Sequence, residues 1–183
     1  DLSPTAAQMP RIMGLGLASK LFREDKNLHQ FKTLSKNGNE IVFGTIGDGS
    51  TSEGIFLEAI NAMGVLQIPV VMSVWDDGHA ISVPVEKQTT KGSISEALKG
   101  FAKENSSNGI EILKARGWNY PELCAVYDKA AKIARKDHTP VLVHVIELTQ
   151  PQGHSTSGSH ERYKSKKRLE WEKEYDCTIQ FKK

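Results

Sequence analysis

Two groups of acids, each placed just after an apolar run, carry the clearest chemistry in this sequence. Gly47-Asp48-Gly49-Ser50 follows Ile41-Val42-Phe43-Gly44-Thr45-Ile46, and Trp75-Asp76-Asp77-Gly78 follows the run from Ile68 to Val74. In a parallel sheet, ligands collect beyond the carboxyl ends of the strands, and neighbouring strands lie only about 5 Å apart. If these two strands are neighbours, Asp48 and Asp77 can reach one cation. The turn between them carries the other half of a site. Gly47 and Gly49 allow close backbone approach, and Ser50, Thr51 and Ser52 precede a helix whose free N–H groups and positive dipole end suit phosphate oxygens. Carboxylates repel a phosphate unless a cation lies between, and Mg²⁺ is commonly held by one or two carboxylates plus substrate phosphates. The residues therefore read as a magnesium-diphosphate site. Each motif alone also fits an ordinary tight turn or loop acid pair; their placement after consecutive buried strands favours the site.

The elements that must position these acids follow from patterning. Pro10 suits the first turn of a helix. Ile12, Met13, Leu17, Leu21 and Phe22 then predict a helix over 10–23, in which Gly14, Gly16 and Ala18 allow close packing. The polar stretch 24–39 reads as an exposed connection long enough to be mobile. The unalternating run 41–46 predicts a strand buried on both faces. A turn over 47–54, a helix carrying Phe56, Leu57, Ile60, Met63 and Leu66, and a second buried strand over 68–74 complete a βαβ unit. Further on, the pattern predicts a helix over 94–104, a strand over 109–113, a helix over 120–135 and a strand over 140–147. A Gly-, His- and Ser-rich loop over 148–160 and a charged helix close the chain. Alternation of this kind specifies an α/β fold: a mostly parallel sheet with helices on both faces.

Composition narrows the classes. The 183 residues suit one domain, 1–183, with a real core. Hydrophobic residues at 38% and charged residues at 25% describe a globular chain. The net charge of +2 is too balanced for nucleic acid to be the main partner. No apolar run approaches the roughly 18 residues of a membrane span, so no membrane partner is expected. Cys124 and Cys177 lack paired spacing and read as buried or idle thiols in a reducing compartment. The opening Asp1-Leu2-Ser3-Pro4, with a helix almost at once, reads as a cut inside a larger protein.

Gly47-Asp48-Gly49 followed by Asp77 resembles the thiamine-diphosphate signature, which runs from Gly-Asp-Gly to an Asn at a similar interval. The resemblance extends to Ser3-Pro4, Gln8-Met9-Pro10, Gly49-Ser50-Thr51-Ser52-Glu53-Gly54, Asn61, Gly78-His79-Ala80-Ile81-Ser82 and Gly153-His154-Ser155-Thr156-Ser157. Taken in order, these look like the diphosphate-binding domain of the α-subunit of 2-oxo acid dehydrogenase first components, a transketolase-like group. The His-Ser-Thr-Ser form is closer to the branched-chain, 2-oxoisovalerate type than to the pyruvate type. The chain would then be a fragment of an α or fused α/β polypeptide with the thiamine-diphosphate-binding fold.

The resemblance implies roles residue by residue. Asp48 and Asp77 would bind Mg²⁺ with the main-chain carbonyl of His79. Gly49 and Ser50 would meet the diphosphate through backbone N–H groups. Main-chain groups near Ser3 would touch the aminopyrimidine, Thr5 would prop the bent cofactor, and Ser82 belongs to the same cofactor-binding set. His154 would stand over the thiazolium and diphosphate as the catalytic histidine, steering the oxo acid or acyl group. Gln8 falls in a segment that binds a monovalent cation in branched-chain relatives. Four positions depart from the family. Asp77 replaces Asn and adds negative charge, Trp75 and Gln150 stand where those relatives carry arginines, and Ala7 replaces a hydroxyl residue. Together they remove positive charge, so the site should lean on its metal.

Other residues have plainer readings. His144 lies inside a strand and reads as a satisfied core residue; the imidazole of His79 is incidental; His29, His138 and His160 read as surface groups. Gly14-Leu15-Gly16-Leu17-Ala18 has no preceding strand and reads as helix packing, not a nucleotide loop. Lys164, Lys166, Lys167 and Arg168 read as a solvated helix face, with partner docking as the alternative. Ser155 and Ser157 occupy the loop that is phosphorylated in mitochondrial relatives.

The implied activity is oxidative decarboxylation of a branched-chain 2-oxo acid with acyl transfer to lipoamide. The implied partners are a β-subunit-like pyrimidine-binding domain, a lipoyl acyltransferase component and a small 2-oxo acid, in an oligomer. The implied location is the cytoplasm, or the mitochondrial matrix in a eukaryote. The carboxylate that activates the aminopyrimidine comes from another domain or subunit in this family, so the domain alone should be inactive. Alternatives are a pyruvate or acetoin dehydrogenase, and a non-catalytic remnant.

Overall fold

A computed structural model describes residues 4–154 and 158–183. In chain order, α1 (Met9–Glu24) leads to β1 (Val42–Gly47), α2 (Gly54–Leu66) and β2 (Val70–Trp75). A small hairpin of β3 (His79–Ala80) and β4 (Val83–Pro84) follows, then the short helices α3 (Val85–Gln88) and α4 (Ile94–Ala97). After these come β5 (Glu111–Arg116), α5 (Tyr120–Asp137), β6 (Val141–Ile146), α6 (Lys166–Glu174) and α7 (Cys177–Phe181). The four longer strands form a parallel sheet in the order β1-β2-β6-β5. The fold class expected from the sequence is the one found.

Alternation along each strand divides the core. Val70, Met72 and Val74 of β2, with Leu142 of β6, pack against Met9, Ile12, Phe56, Ile60 and Met63 from α1 and α2. Val71, Val141, Val143 and Val145 pack on the other face against Ala130 and Ala134 of α5. Burying a side chain such as Phe56, 1% exposed, is worth roughly 1.5–3 kcal/mol. The close packing expected of α1 is real at Gly16, where an added Cβ would come within 2.7 Å of Val70 Cγ2. Only a residue without a side chain lets the helix approach the sheet this far.

Several expectations need correction. β1 is an edge strand, not one buried on both faces: Gly44 and Ile46 are buried, while Phe43 and Thr45 are exposed. The helix expected over 94–104 stops at Ala97 and is followed by a 3-10 turn over Lys99–Phe101, where Gly100 weakens helical continuation. The strand expected over 109–113 begins at Glu111, because Gly109 takes φ +136° and Ile110 makes only an isolated bridge to Ala102. The polar connection 24–39 holds a 3-10 turn over Lys26–Gln30, capped by the Asp25 side chain. It is pinned at its far end: Ser35 Oγ donates to Glu40 Oε2 at 2.7 Å and accepts from the Gly38 N–H at 2.8 Å. The closing helix is two helices, because Asp176 caps a new start by accepting from the N–H groups of Thr178 and Ile179. Cys124 and Cys177 are exposed free thiols. No helix of the described residues is long and apolar enough to cross a membrane.

Candidate functional site

The two acid-bearing strand ends are neighbours. β1 and β2 run parallel with Gly47 opposite Trp75, so Asp48 and Asp76 are the next residues on each. The Asp48 N–H donates to the Trp75 carbonyl at 3.0 Å, and the Asp76 N–H to the Val145 carbonyl at 2.9 Å. These bonds extend the ladders one step past the strands and bring the turn at 47–50 beside the loop at 76–80.

Asp48 is 5% exposed. Burial, then the negative charges of Asp77 and Asp76, push its carboxyl up to about 7. The Gly49 N–H lies on this carboxylate and offsets part of that cost. Asp48 Oδ2 is buried with no hydrogen-bond partner among the described residues, as are His79 Nδ1 and Gln88 Oε1. Gln88 donates from Nε2 to the carbonyls of Asp48 and Gly49 at 2.9 and 3.0 Å, so it anchors the turn from α3. Asp77 is half-buried; its Oδ1 accepts the His79 N–H at 3.2 Å.

Two neighbouring carboxylates, Asp48 with an unsatisfied buried oxygen and the half-buried Asp77, offer donors to a divalent cation. Among the described residues no three His, Cys, Asp or Glu side chains cluster as a metal shell. A cation here would therefore complete its sphere with backbone and ligand oxygens, which suits Mg²⁺. The residues fit a metal-diphosphate group in charge and in donor type.

The turn expected over 47–54 is found: residues Gly49–Ser52 form a 3-10 turn and α2 begins at Gly54. The N–H groups of Thr51 and Glu53 are used inside the turn, on the carbonyls of Asp48 and Ser50. The close approach that requires a glycine at 49 is to Ala80, whose Cβ would lie 2.9 Å from an added Cβ. Gly49 thus lets the β3–β4 hairpin close over the turn. Gly47 has open space where a Cβ would lie.

A family model described as Dehydrogenase E1 component matches residues 2–183. The chain belongs to this family. Among its relatives, the 2-oxoisovalerate dehydrogenase subunit alpha of Bacillus subtilis is 25% identical over 179 residues, which cover 98% of this chain and 48% of that protein. The mitochondrial 2-oxoisovalerate dehydrogenase subunit alpha 1 of Arabidopsis thaliana is 30% identical over 170 residues, 92% of this chain and 31% of its own length. The pyruvate dehydrogenase E1 component subunit alpha of Rickettsia bellii is 26% identical over 178 residues, covering 97% and 47%. The chain spans less than half the length of each.

The other residues expected at the site are placed as follows. Thr5 is exposed just before α1, Ser82 is exposed in the β3–β4 turn, and His154 is exposed between β6 and α6. Ser3, Ser155 and Ser157 lie outside the described residues. Trp75 is 52% exposed and its indole N–H donates to Ser73 Oγ at 3.0 Å.

Two groups escaped the sequence reading. His144 is a satisfied core residue as expected, but its partners belong to the site. Its Nε2 lies 2.8 Å from Asp76 Oδ2 and its Nδ1 3.0 Å from Ser95 Oγ. Asp76 Oδ1 in turn accepts the Gly78 N–H at 2.8 Å. A core histidine therefore holds the acid that shapes the loop carrying Asp77. Replacing His144 by Leu leaves a buried carboxylate without its partner and is expected to cost about 3 kcal/mol, read from urea unfolding; His144→Gln should cost less. The second group is basic. Lys164 is buried and Arg168 half-buried, whereas Lys166 and Lys167 are exposed. The cluster is thus a solvated face only in part, because Lys164, just before α6, and Arg168, within it, both turn to Glu172. No signal short of the tertiary contact distinguishes the two pairs.

Proposed function

We propose that this chain is the diphosphate-binding part of a thiamine-diphosphate-dependent 2-oxo acid dehydrogenase first component, acting on a branched-chain 2-oxo acid and passing the acyl group to lipoamide. The observation that carries the reading is Asp48: buried, with an unpartnered oxygen, one strand from Asp77. On this reading Asp48 and Asp77 hold Mg²⁺ with the His79 carbonyl, and the backbone at Gly49 and Ser50 meets the diphosphate. Ser3, Thr5, Ser82 and His154 complete the cofactor-binding set. His154 steers the oxo acid. When bound, thiamine diphosphate supplies the carbon nucleophile and electron sink for decarboxylation. The partners would be a pyrimidine-binding β-like domain, which provides the acid that activates the cofactor, and a lipoyl acyltransferase. The isolated domain would be inactive. The location would be the cytoplasm, or the mitochondrial matrix in a eukaryote.

Calorimetric titration of the assembled enzyme with thiamine diphosphate tests the metal role. Binding is expected with Mg²⁺ and to collapse on chelation; equal affinity in both conditions contradicts the reading, and no binding in either supports a non-catalytic remnant. A pyruvate substrate is the second reading, favoured by the Rickettsia relative named for that acid at comparable identity. CO₂ release from a panel of 2-oxo acids separates the two.

A further inference from the structure

Three contacts run from the segment around α6 onto the loop after β2. The Tyr163 ring packs on that of His79, with centroids 5.7 Å apart. The side chain of Lys164 is wholly buried, with Nζ 3.9 Å from Asp77 Oδ2 and 2.8 Å from Glu172 Oε1. Arg168 donates from Nε to that same Glu172 oxygen at 2.7 Å and from Nη2 to the Asp77 carbonyl at 2.8 Å.

A buried ammonium is retained only where it is paired, and Lys164 has an acid on each side. Asp77 and Glu172 are balanced by Lys164 and Arg168, so this part of the site is neutral as a unit. Without Lys164 the loop would add an uncompensated negative charge beside Asp48, which already faces Asp76 and Asp77. That balance matters for an anionic ligand. Two acids on one cation attract a bare metal ion but repel the diphosphate that the ion must carry.

We propose that Lys164 is the charge partner of Asp77, a positioning residue that sets the preference of the site for a metal-diphosphate over a bare divalent cation. The inference rests on Asp48 and Asp77 being the cation ligands. It predicts effects of opposite sign on the two ligands, which loss of packing alone does not.

The test is a double-mutant cycle in the full-length chain assembled with its partner subunit, using Lys164→Met, Asp77→Asn and the pair together. An amide oxygen can still ligate the ion, so Asp77→Asn removes charge and keeps a donor. Thiamine diphosphate affinity at saturating Mg²⁺ is read by calorimetry and Mn²⁺ affinity without diphosphate by electron paramagnetic resonance. Thermal unfolding of the metal-free protein gives a third reading. Lys164→Met is expected to weaken cofactor binding about tenfold, within the usual range for coupled neighbours, and to strengthen Mn²⁺ binding. The paired variant should bind cofactor within about threefold of Asp77→Asn alone, and its unfolding temperature should recover in step. Lys164→Gln, which keeps a donor to Glu172 without the charge, replaces Lys164→Met if the latter does not fold. Additive losses with unchanged Mn²⁺ affinity overturn the proposal alone. Absence of metal-dependent cofactor binding in the unmodified enzyme overturns the functional reading and this inference with it, while coupled unfolding temperatures would still show the ion pair.

Discussion

Asp48→Asn is expected to stabilise the metal-free chain and to remove its hold on a metal-bound diphosphate. The Asp48 carboxyl stands at about 7, raised by burial first and then by Asp77 and Asp76, whereas in the unfolded chain it ionises near about 3.9. Between these values the unfolded chain releases a proton that the folded chain keeps. Ionisation therefore favours unfolding: stability falls as pH rises from about 4 to about 7 and levels off above. The shift corresponds to an upper bound of about 4 kcal/mol, and residual solvation of the turn brings the expected gain at pH 8 nearer 2–3 kcal/mol, an order-of-magnitude value. Asparagine carries no such charge, so its advantage should vanish at pH 4 and be full at pH 8. Urea unfolding of both proteins at the two pH values, free of divalent ions, checks this; parallel pH profiles would refute it. With Mg²⁺ and thiamine diphosphate the order is expected to reverse. The unmodified enzyme gains binding energy that the variant lacks, and cofactor affinity is expected to fall roughly a thousandfold, the size of a broken buried charge contact. That pair of results would place Asp48 in a binding site, not in the scaffold.

His154→Ala is expected to lower turnover by more than it lowers cofactor affinity. The residue is exposed in the segment between β6 and α6, beyond the carboxyl end of a central strand, where a polar side chain can meet a substrate. A positioned histidine contributes about 10²- to 10⁴-fold in rate. Loss of an interaction made only in the transition state lowers kcat and kcat/KM together. Steady-state kinetics of the assembled enzyme, with thiamine diphosphate affinity measured alongside, gives the answer. A rise in the cofactor Kd at unchanged kcat would make His154 a binding residue and withdraw its catalytic role.

The placement of the two acids at neighbouring strand ends was legible because its signal is local. A buried run, a Gly-Asp-Gly turn and a second buried run place Asp48 and Asp77 at strand ends through short-range chain geometry. The same locality misled at β1. An unalternating run says that a segment tolerates burial, not that both faces are covered, and Phe43 is left 54% exposed on an edge strand. Over 94–104, apolar spacing suggested one helix where Gly100 helps to divide it into two short pieces.

The partners that tune those acids lie far along the chain. His144 is 68 positions from Asp76, and Arg168 is 91 from Asp77. Nothing in the neighbourhood of Lys164 separates a buried cation from a solvated one. The order of residues alone determined which segments become strands and which strand ends carry carboxylates, because steric and hydrophobic preferences act over a few residues. Only the packed structure decided that β1 lies at the edge, that His144 grips Asp76 and that the turn before α6 brings Lys164 to Asp77. Desolvation and charge act through space and depend on what else has been brought near.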